Sequence, residues 1–248
     1  MRYFIQLSYN GKAYHGWQIQ PNAITVQETL EKALTTLLGE TISIVGAGRT
    51  DTGVHAKEMY AHFDSASMLQ TEQLCYKLNS LLPVDIAVRK IFEVNPQAHA
   101  RFDALERTYE YRISTEKNVF NQDFTYKHHL SLDMAKMNEA CKILFDYRDF
   151  QCFSKSNTDV KTYNCIIKSA NWEVSGDELL FTISADRFLR NMVRAIVGTM
   201  INIGLHKLAV EDLHHIIKSK DRGQAGYSVP AQGLYLTKIK YPDTIYLK

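Results

Sequence analysis

The sequence has few cysteines, and none is spaced to hold a metal or a disulfide framework. The four are Cys75, Cys141, Cys152 and Cys165; they form no CxxC pair, and none has a histidine at zinc-finger spacing. This usage favours reduced, mostly buried thiols in a cytoplasmic protein. No apolar run approaches the length of a membrane span, and the first residues alternate between polar and apolar. We therefore expect neither a membrane anchor nor a signal peptide.

An excess of charge of either sign is also missing. The chain carries 29 Lys and Arg against 27 Asp and Glu, for a formal net charge of +2. Bulk charge therefore does not predict a nucleic-acid partner, which would need a local basic patch. What is present is an ordinary globular composition: 248 residues, 45% of them hydrophobic, can form one large domain or two of usual size.

The order of predicted elements indicates an α+β protein with two similar halves. In the first half, hydrophobic periodicity predicts strand, helix, strand, strand, helix and strand, which is the ferredoxin-like order. The second half repeats the order without repeating the sequence. The predicted strands cover 2–9, 42–47, 54–63, 85–94, 105–115, 165–174, 179–185 and 234–241, and the predicted helices cover 26–38, 71–82, 132–145, 188–203 and 210–218.

The stretch GRTDTGVHA at 48–56 is the most unusual part of the sequence. It places an arginine, a carboxylate and two glycines in a turn between two apolar runs. A hairpin turn in which Asp51 bonds its own backbone is the plain interpretation. The charge density around Asp51, with Arg49 before it and His55 after it, and the apolar flanking runs favour a functional turn instead.

Three arginines are spaced three and then four residues apart, at Arg187, Arg190 and Arg194. On the predicted helix this spacing gives one basic stripe on an otherwise apolar surface. Such a stripe either forms salt bridges within the protein or contacts the phosphates of a nucleic acid. We interpret Arg187 and Arg190, together with Lys155 in the polar segment 151–162, as candidate RNA contacts.

The alternating strand at 107–112 places Arg107, Tyr109 and Tyr111 on one face. Such a face can stack bases and hold phosphates. A half-buried amphipathic strand is the more common explanation of the same pattern. The two interpretations stay open on the pattern alone.

Four motifs together resemble the tRNA pseudouridine synthase A family. They are GRTDTGVHA at 48–56, RTYEYRI at 107–113, FLRNMVRAIVG at 188–198 and GLYL at 233–236, and they occur in the family's order. The resemblance runs from the first strand to the last. Family members more often have alanine where this chain has Thr52, a small change that affects nothing central.

The resemblance implies an isomerase that converts uridine to pseudouridine in the anticodon arm of tRNA, at tRNA positions 38, 39 and 40, with no cofactor and no metal. It implies a fold of two ferredoxin-like halves, 1–100 and 101–248, that form one mixed, mostly antiparallel sheet with helices packed on it and a central cleft between the halves. It also implies a homodimer that binds tRNA across both subunits.

The resemblance assigns roles to five residues of this sequence. Asp51 matches the catalytic aspartate, Arg194 the arginine that pairs with it, and Tyr109 the tyrosine that stacks on the target base. Leu234 matches the apolar residue that lines the pocket. Arg49 matches the arginine that helps to hold the target nucleotide out of its stack.

The reaction explains why a carboxylate is needed. The C1′–N1 bond must break, the uracil must rotate, and C5 must bond to C1′. A carboxylate can attack covalently, stabilise an electron-poor sugar or take a proton. Attack at C1′, attack at C6 and a glycal route all place an ionised Asp51 at the same point, and the sequence leaves the three open.

Two other functions compete with the isomerase. A non-catalytic RNA-binding module would carry aromatic RNP signatures, and the RNP1 pattern is not found in this sequence. A metal hydrolase that uses Asp51 with His55 and His62 lacks the usual spacing of metal ligands.

Overall fold

The computed structural model describes residues 1–155 and 160–247, and the chain divides into two units. Unit 1 comprises residues 1–106 and 235–248, and unit 2 comprises residues 107–234. The last strand groups with unit 1 because it pairs with a strand there.

The elements are those of an α+β protein, as predicted. The strands are β1 (Arg2–Tyr9), β2 (Val45–Gly46), β3 (His55–Asp64), β4 (Ile86–Val94), β5 (Glu106–Ser114), β6 (Tyr126–Lys127), β7 (Ile167–Ser175), β8 (Glu178–Ala185) and β9 (Leu234–Lys240). The helices are α1 (Val26–Leu38), α2 (Thr71–Leu81), α3 (Met134–Ile143), α4 (Met192–Gly204) and α5 (Asp212–Ser219).

In unit 1 the strand order is β4-β1-β3-β2, with every one of these pairs antiparallel. This is the order of a ferredoxin-like domain. The β9 strand adds a parallel pairing to β3, His55 opposite Tyr235 and Ala56 opposite Leu236, which makes the sheet mixed. Helix α1 packs against α2, and α2 packs against β4.

Helix α1 begins and ends where the sequence predicted. The Thr25 side chain accepts a hydrogen bond from the backbone N–H of Glu28 at 3.3 Å, which satisfies one of the free donors of the first turn. Gly39, with φ of 70°, ends the helix in the left-handed conformation that glycine adopts without cost. The Glu28 carboxylate accepts from Lys32 Nζ one turn further on, at 2.6 Å.

The strand predicted over 42–47 is shorter than expected and covers Val45–Gly46. The reason is that side chains of α1 take the backbone donors that a longer strand would use. The N–H of Ile44 donates to Glu31 Oε1 at 2.8 Å, and the N–H of Ile42 donates to Thr35 Oγ1 at 3.1 Å. Ile42 and Ile44 are buried nonetheless, so the apolar pattern indicated which side chains are buried and not which residues pair in a strand.

In unit 2 the strands β5, β8 and β7 lie side by side and antiparallel, with β6 parallel to β5. The hairpin predicted between β7 and β8 is confirmed. Ser175 faces Glu178, and Gly176 has φ of 63° in the turn. Helix α3 packs against α4 and β7.

The predicted start of α3 was wrong by two residues. Asp133, and not Ser131, caps the helix, because its Oδ1 accepts the N–H of Lys136 at 3.1 Å. Phe145, the last residue of the predicted helix over 132–145, is 47% exposed because the α-helix ends before it. Leu81 on α2 is likewise exposed, whereas Leu82 just beyond that helix is buried.

Candidate active site

The Asp51 loop, residues 47–54, connects β2 to β3 in unit 1. At the start of the loop the Ala47 N–H donates to the Tyr60 carbonyl at 2.7 Å, and at its end the Val54 N–H donates to the Asp51 carbonyl at 3.1 Å. Gly53, with φ of 78°, makes the turn between them. The Asp51 side chain is half-buried, and Arg49 is exposed.

Thr50 fixes the loop from inside the unit. Its hydroxyl forms a buried hydrogen bond with the Tyr9 hydroxyl at 2.8 Å, and its carbonyl accepts the N–H of Trp17 at 3.2 Å. Thr50 itself is 8% exposed, and Trp17 is 2% exposed. The backbone immediately before Asp51 is therefore held on both sides by buried groups.

Two glycines of another segment, Gly11 and Gly16, let its backbone pack directly against the backbone of the loop. A Cβ built on Gly11 would overlap the Val54 carbonyl oxygen, and one on Gly16 would overlap the Thr50 carbonyl oxygen. Gly16 also has φ of 88°, which side chains rarely tolerate. The loop is thus buttressed by backbone and is not a free surface turn.

His55 and His62 have structural hydrogen bonds that identify their roles. His55 Nδ1 accepts the N–H of Gly11 at 3.1 Å, and its ring stacks on Tyr235 with centroids 4.8 Å apart. His62 Nδ1 accepts the N–H of Ala100 at 3.1 Å. Burial, with the nearby Arg2 guanidinium, lowers the pKa of His62 to about 4, so it is a neutral acceptor at pH 7.

The metal-hydrolase alternative gains no support. Among residues 1–155 and 160–247, no group of three or more His, Cys, Asp or Glu side chains is placed to hold a metal ion. Within the same residues, the helices all fall short of the length and apolar character needed to cross a bilayer.

In unit 2 the face of β5 predicted to stack bases divides into a half-buried and a buried part. Tyr109 is half-buried, and its ring and the Phe188 ring pack edge to face, with their centroids 5.2 Å apart. Tyr111 is fully buried, and its hydroxyl donates to the Pro230 carbonyl at 2.8 Å. Burial raises the pKa of Tyr111, so the phenol stays protonated. Tyr111 is therefore a packing residue and cannot stack a base.

Arg194 lies in the first turn of α4 and is half-buried. Its Nε donates to the Val229 carbonyl at 2.6 Å, and the Val229 N–H donates back to the Arg194 carbonyl at 3.3 Å. A cation in the first turn opposes the helix dipole and costs roughly 0.3–1 kcal/mol. This residue is therefore not explained by helix stability.

The prediction that Arg187, Arg190 and Arg194 form one basic stripe on a helix was wrong. Helix α4 begins at Met192, because Asn191 has φ of 69° and interrupts the helical backbone. Arg187 and Arg190 precede the helix in irregular backbone, so the spacing of three and four residues does not align them with Arg194.

Two of the basic residues are nevertheless close together. The N–H of Lys155 donates to the Arg190 carbonyl at 3.0 Å, and both residues are exposed. Arg187 is half-buried, and its N–H donates to Asp186 Oδ1 at 2.7 Å. Asp159, which belongs to the same polar segment 151–162 as Lys155, lies outside the described residues.

Leu234 is buried at the start of β9, directly after Gly233. A Cβ on Gly233 would lie 2.8 Å from the Tyr111 ring, so glycine is required for this approach. Segment 229–234 thus accepts hydrogen bonds from Arg194 at Val229 and from Tyr111 at Pro230. Unit 2 therefore brings together the segments that carry Tyr109, Arg194 and Leu234.

The sequence analysis missed several residues that support these side chains. Tyr9 and Trp17 bond the Asp51 loop, and Asn191 bonds Ser228 in the segment that follows α5. Asn191 Nδ2 donates to Ser228 Oγ at 2.7 Å. A non-glycine residue with positive φ has no periodic signal, and the partners are far apart in sequence.

Comparison with known proteins adds an independent finding. A family model for tRNA pseudouridine synthases matches residues 6–103 and 140–242 of the chain. A protein named tRNA pseudouridine synthase A from Parabacteroides distasonis is 54% identical over 246 residues, which span 99% of this chain and 98% of that protein.

Proteins with the same name show that the similarity extends to other bacteria. The one from Bacteroides fragilis is 53% identical over 247 residues, covering 99% of this chain and 98% of that protein. The one from Bacillus licheniformis is 41% identical over 247 residues, covering 98% and 100%. A solved structure of a dye-decolorizing protein from V. cholerae gives a TM-score of 0.18 at 12% identity over 97% of this chain and 94% of that one, too low for any argument about the fold.

Proposed function

Because this chain belongs to the tRNA pseudouridine synthase A family and is an isomerase of uridine in tRNA, we propose that Asp51 is its catalytic carboxylate and that the anticodon arm is its target. The observation that carries this proposal is the Asp51 loop. A half-buried carboxylate follows a buried Thr50 that is bonded to Tyr9, in a loop buttressed at two glycines. This is the rigid support that a reacting group needs.

The reaction is an isomerisation in which nothing is lost. The C1′–N1 bond of uridine breaks, the uracil turns over, C1′ bonds to C5, and the proton leaving C5 is balanced by one gained at N1. An ionised Asp51 serves each of the three routes: attack at C1′, attack at C6, or removal of the 2′ proton. No cofactor enters any of them.

The other site residues have roles that follow from their chemistry. Arg194 is proposed as the positively charged partner of the carboxylate, and Leu234 supplies an apolar wall. Tyr109 stacks on the flipped base, which is worth ~1–3 kcal/mol against an unstacking cost of a few kcal/mol. Arg49, exposed beside Asp51, holds the extruded nucleotide.

Lys155, Arg187 and Arg190 are proposed as phosphate contacts, and the closeness of Lys155 to Arg190 supports a local basic patch. We also propose that the protein acts in the cytoplasm as a homodimer. Light scattering of the purified chain measures the dimer. Pseudouridine mapping of tRNA from cells without the protein tests the anticodon-arm target.

The central experiment is Asp51→Asn, which keeps the shape of the side chain and removes its charge. We expect pseudouridine formation to fall by on the order of 10⁴-fold or more, while tRNA affinity and melting temperature stay near wild type. Carbodiimide-blocked primer extension measures the product.

The matched control is Asp243→Asn, which changes an exposed carboxylate of the same unit. It should be fully active. Normal product from Asp51→Asn would remove Asp51 from the mechanism.

A further inference from the structure

Residues Arg222–Pro230, which we call the strap, run along helix α4 within unit 2. Two glycines bring the backbones together: a Cβ on Gly198 would overlap the Tyr227 carbonyl, and one on Gly226 would overlap the Thr199 amide nitrogen. The N–H of Gly226 donates to Thr199 Oγ1 at 2.8 Å in a buried hydrogen bond. The middle of the strap is thus fixed to the helix by backbone.

The end of the strap holds the Arg194 side chain. Val229 accepts from Arg194 Nε at 2.6 Å, and its N–H returns a bond to the Arg194 carbonyl. The guanidinium is planar and its donors have a fixed fork. A bond at Nε therefore sets the plane in which both terminal nitrogens point.

Ser228, the neighbour of Val229, joins two further side chains. Its hydroxyl oxygen accepts from Asn191 Nδ2 at 2.7 Å and from Arg222 Nη2 at 2.9 Å. Asn191 stands directly before α4, and Arg222 begins the strap, where it also donates to the Gly226 carbonyl at 3.0 Å. Ser228 therefore ties the strap to the start of the helix, one turn from Arg194.

We propose that Ser228, held by Asn191 and Arg222, is a positioning residue that sets the direction of the Arg194 guanidinium through the Val229 carbonyl. The inference rests on the proposed role of Arg194 and extends it to residues that do not meet the substrate. The Gly226–Thr199 bond already holds the middle of the strap. The Ser228 contacts are consequently not needed to keep the strap in place; they fix the part that meets Arg194.

The first test compares Ser228→Ala with Ser228→Thr, which restores the hydroxyl. We expect Ser228→Ala to lower the single-turnover rate of pseudouridine formation on the order of tenfold, since small displacements of a charged group reduce rate strongly. The dissociation constant for tRNA should not change, and Ser228→Thr should recover most of the rate. Ser219→Ala is the matched control, because Ser219 is exposed and bonds only near the end of α5 among its described contacts.

Asn191→Gly is the second variant, and it guards against misfolding. Glycine adopts the φ of 69° without strain, so this change removes the side-chain bond to Ser228 and leaves the backbone as it is. A rate loss like that of Ser228→Ala, with an unchanged melting temperature, supports the proposal. Wild-type rates for both variants would overturn it.

The decisive test is a double variant. Lysine at 194 lacks the guanidinium fork, so Ser228 can no longer act through Nε. Ser228→Ala should therefore cost nothing further in the Arg194→Lys background, whereas two additive losses would show that the strap acts elsewhere and would overturn the proposal.

Arg194→Ala separates the two proposals. A wild-type rate in that variant would refute the role of Arg194, and this inference with it. A slow Arg194→Ala beside an unaffected Ser228→Ala would refute this inference alone.

Discussion

The Asp51 loop of unit 1 and the Arg194 segment of unit 2 are fixed alike at the backbone and differently at the side chain. Both rest against another stretch of chain at glycines: Gly11 and Gly16 in unit 1, Gly198 and Gly226 in unit 2. Asp51 is then oriented by its neighbour Thr50, which bonds Tyr9.

Arg194, by contrast, is oriented by a hydrogen bond from its own Nε to Val229. A short side chain on a rigid loop has few rotamers to fix, whereas a long guanidinium side chain loses much more rotamer freedom. The difference teaches that the long guanidinium side chain needs a hydrogen bond of its own in addition to a rigid backbone.

The largest expected effect tests the shared backbone contacts. Gly11→Ala and Gly198→Ala each place a Cβ onto a carbonyl oxygen that cannot move without shifting backbone. We expect each to lower the free energy of unfolding by about 3 kcal/mol in urea denaturation.

Gly48→Ala is the control, since among the described residues no atom other than those of its chain neighbours lies within 4 Å of its Cβ position. It should change the free energy of unfolding by less than about 0.5 kcal/mol. If Gly198→Ala were as mild as this control, the two segments would not be fixed by the same means.

A smaller effect is expected at acid pH, where the free energy of unfolding should depend on a histidine of unit 1. His62 in unit 1 has a folded pKa of about 4, below the value of about 6.5 in an unfolded chain. As the pH falls, the unfolded state therefore binds the proton first. The stability that neutral His62 gives to the folded state is complete above pH 6.5 and is lost as the pH falls towards 4. Between pH 7 and pH 5 we expect a loss of about 2 kcal/mol from this group.

His62→Gln should flatten that part of the pH dependence, measured by urea denaturation at each pH. His15→Gln, at an exposed histidine of the same unit, should leave it unchanged. In unit 2, burial raises the pKa of Cys141, Cys152 and Cys165 to about 12, further above this pH range than the usual thiol value, so these thiols contribute nothing to the acid dependence. An unchanged slope in His62→Gln would assign the acid sensitivity to other groups.

The smallest effect compares the exposed arginines of the two segments, Arg49 and Arg190. If both meet phosphates, the affinity for tRNA falls with salt because counterions are released. Removing either arginine should then reduce the slope of log affinity against log salt by about 0.7–0.9. Arg89→Ala is the control on an exposed arginine of β4. A reduced slope for one arginine only would show that the two segments do not both contact RNA.

Local patterns predicted local structure well. The β1 strand, helix α1 with its Thr25 cap and Gly39 end, and the hairpin at Gly176 each depend on residues adjacent in sequence. The family motifs also assign roles to Asp51 and Arg194, which stay predictions, whereas the strand, the helix and the hairpin are confirmed. These features could be predicted because periodicity, caps and turns report the conformation of a few neighbouring residues.

Features set by distant residues could not be predicted. The burial of Tyr111 depends on Pro230 and Gly233, more than a hundred residues away. The late start of α4 depends on the positive φ of Asn191, which an apolar run does not reveal. The strap has no periodic pattern of its own, because glycine contacts and a single serine define it.

The pairing of β9 with β3 has a consequence for biosynthesis. The strand that continues directly from the Asp51 loop completes its pairing with residues 235 and 236, which come much later in the chain than His55 and Ala56. A ribosome must translate all of unit 2 before that partner exists. The first half to emerge is thus the last to gain all its hydrogen bonds, and a premature stop shortly before residue 234 would deprive the Asp51-bearing sheet of a strand while sparing most of the intervening unit.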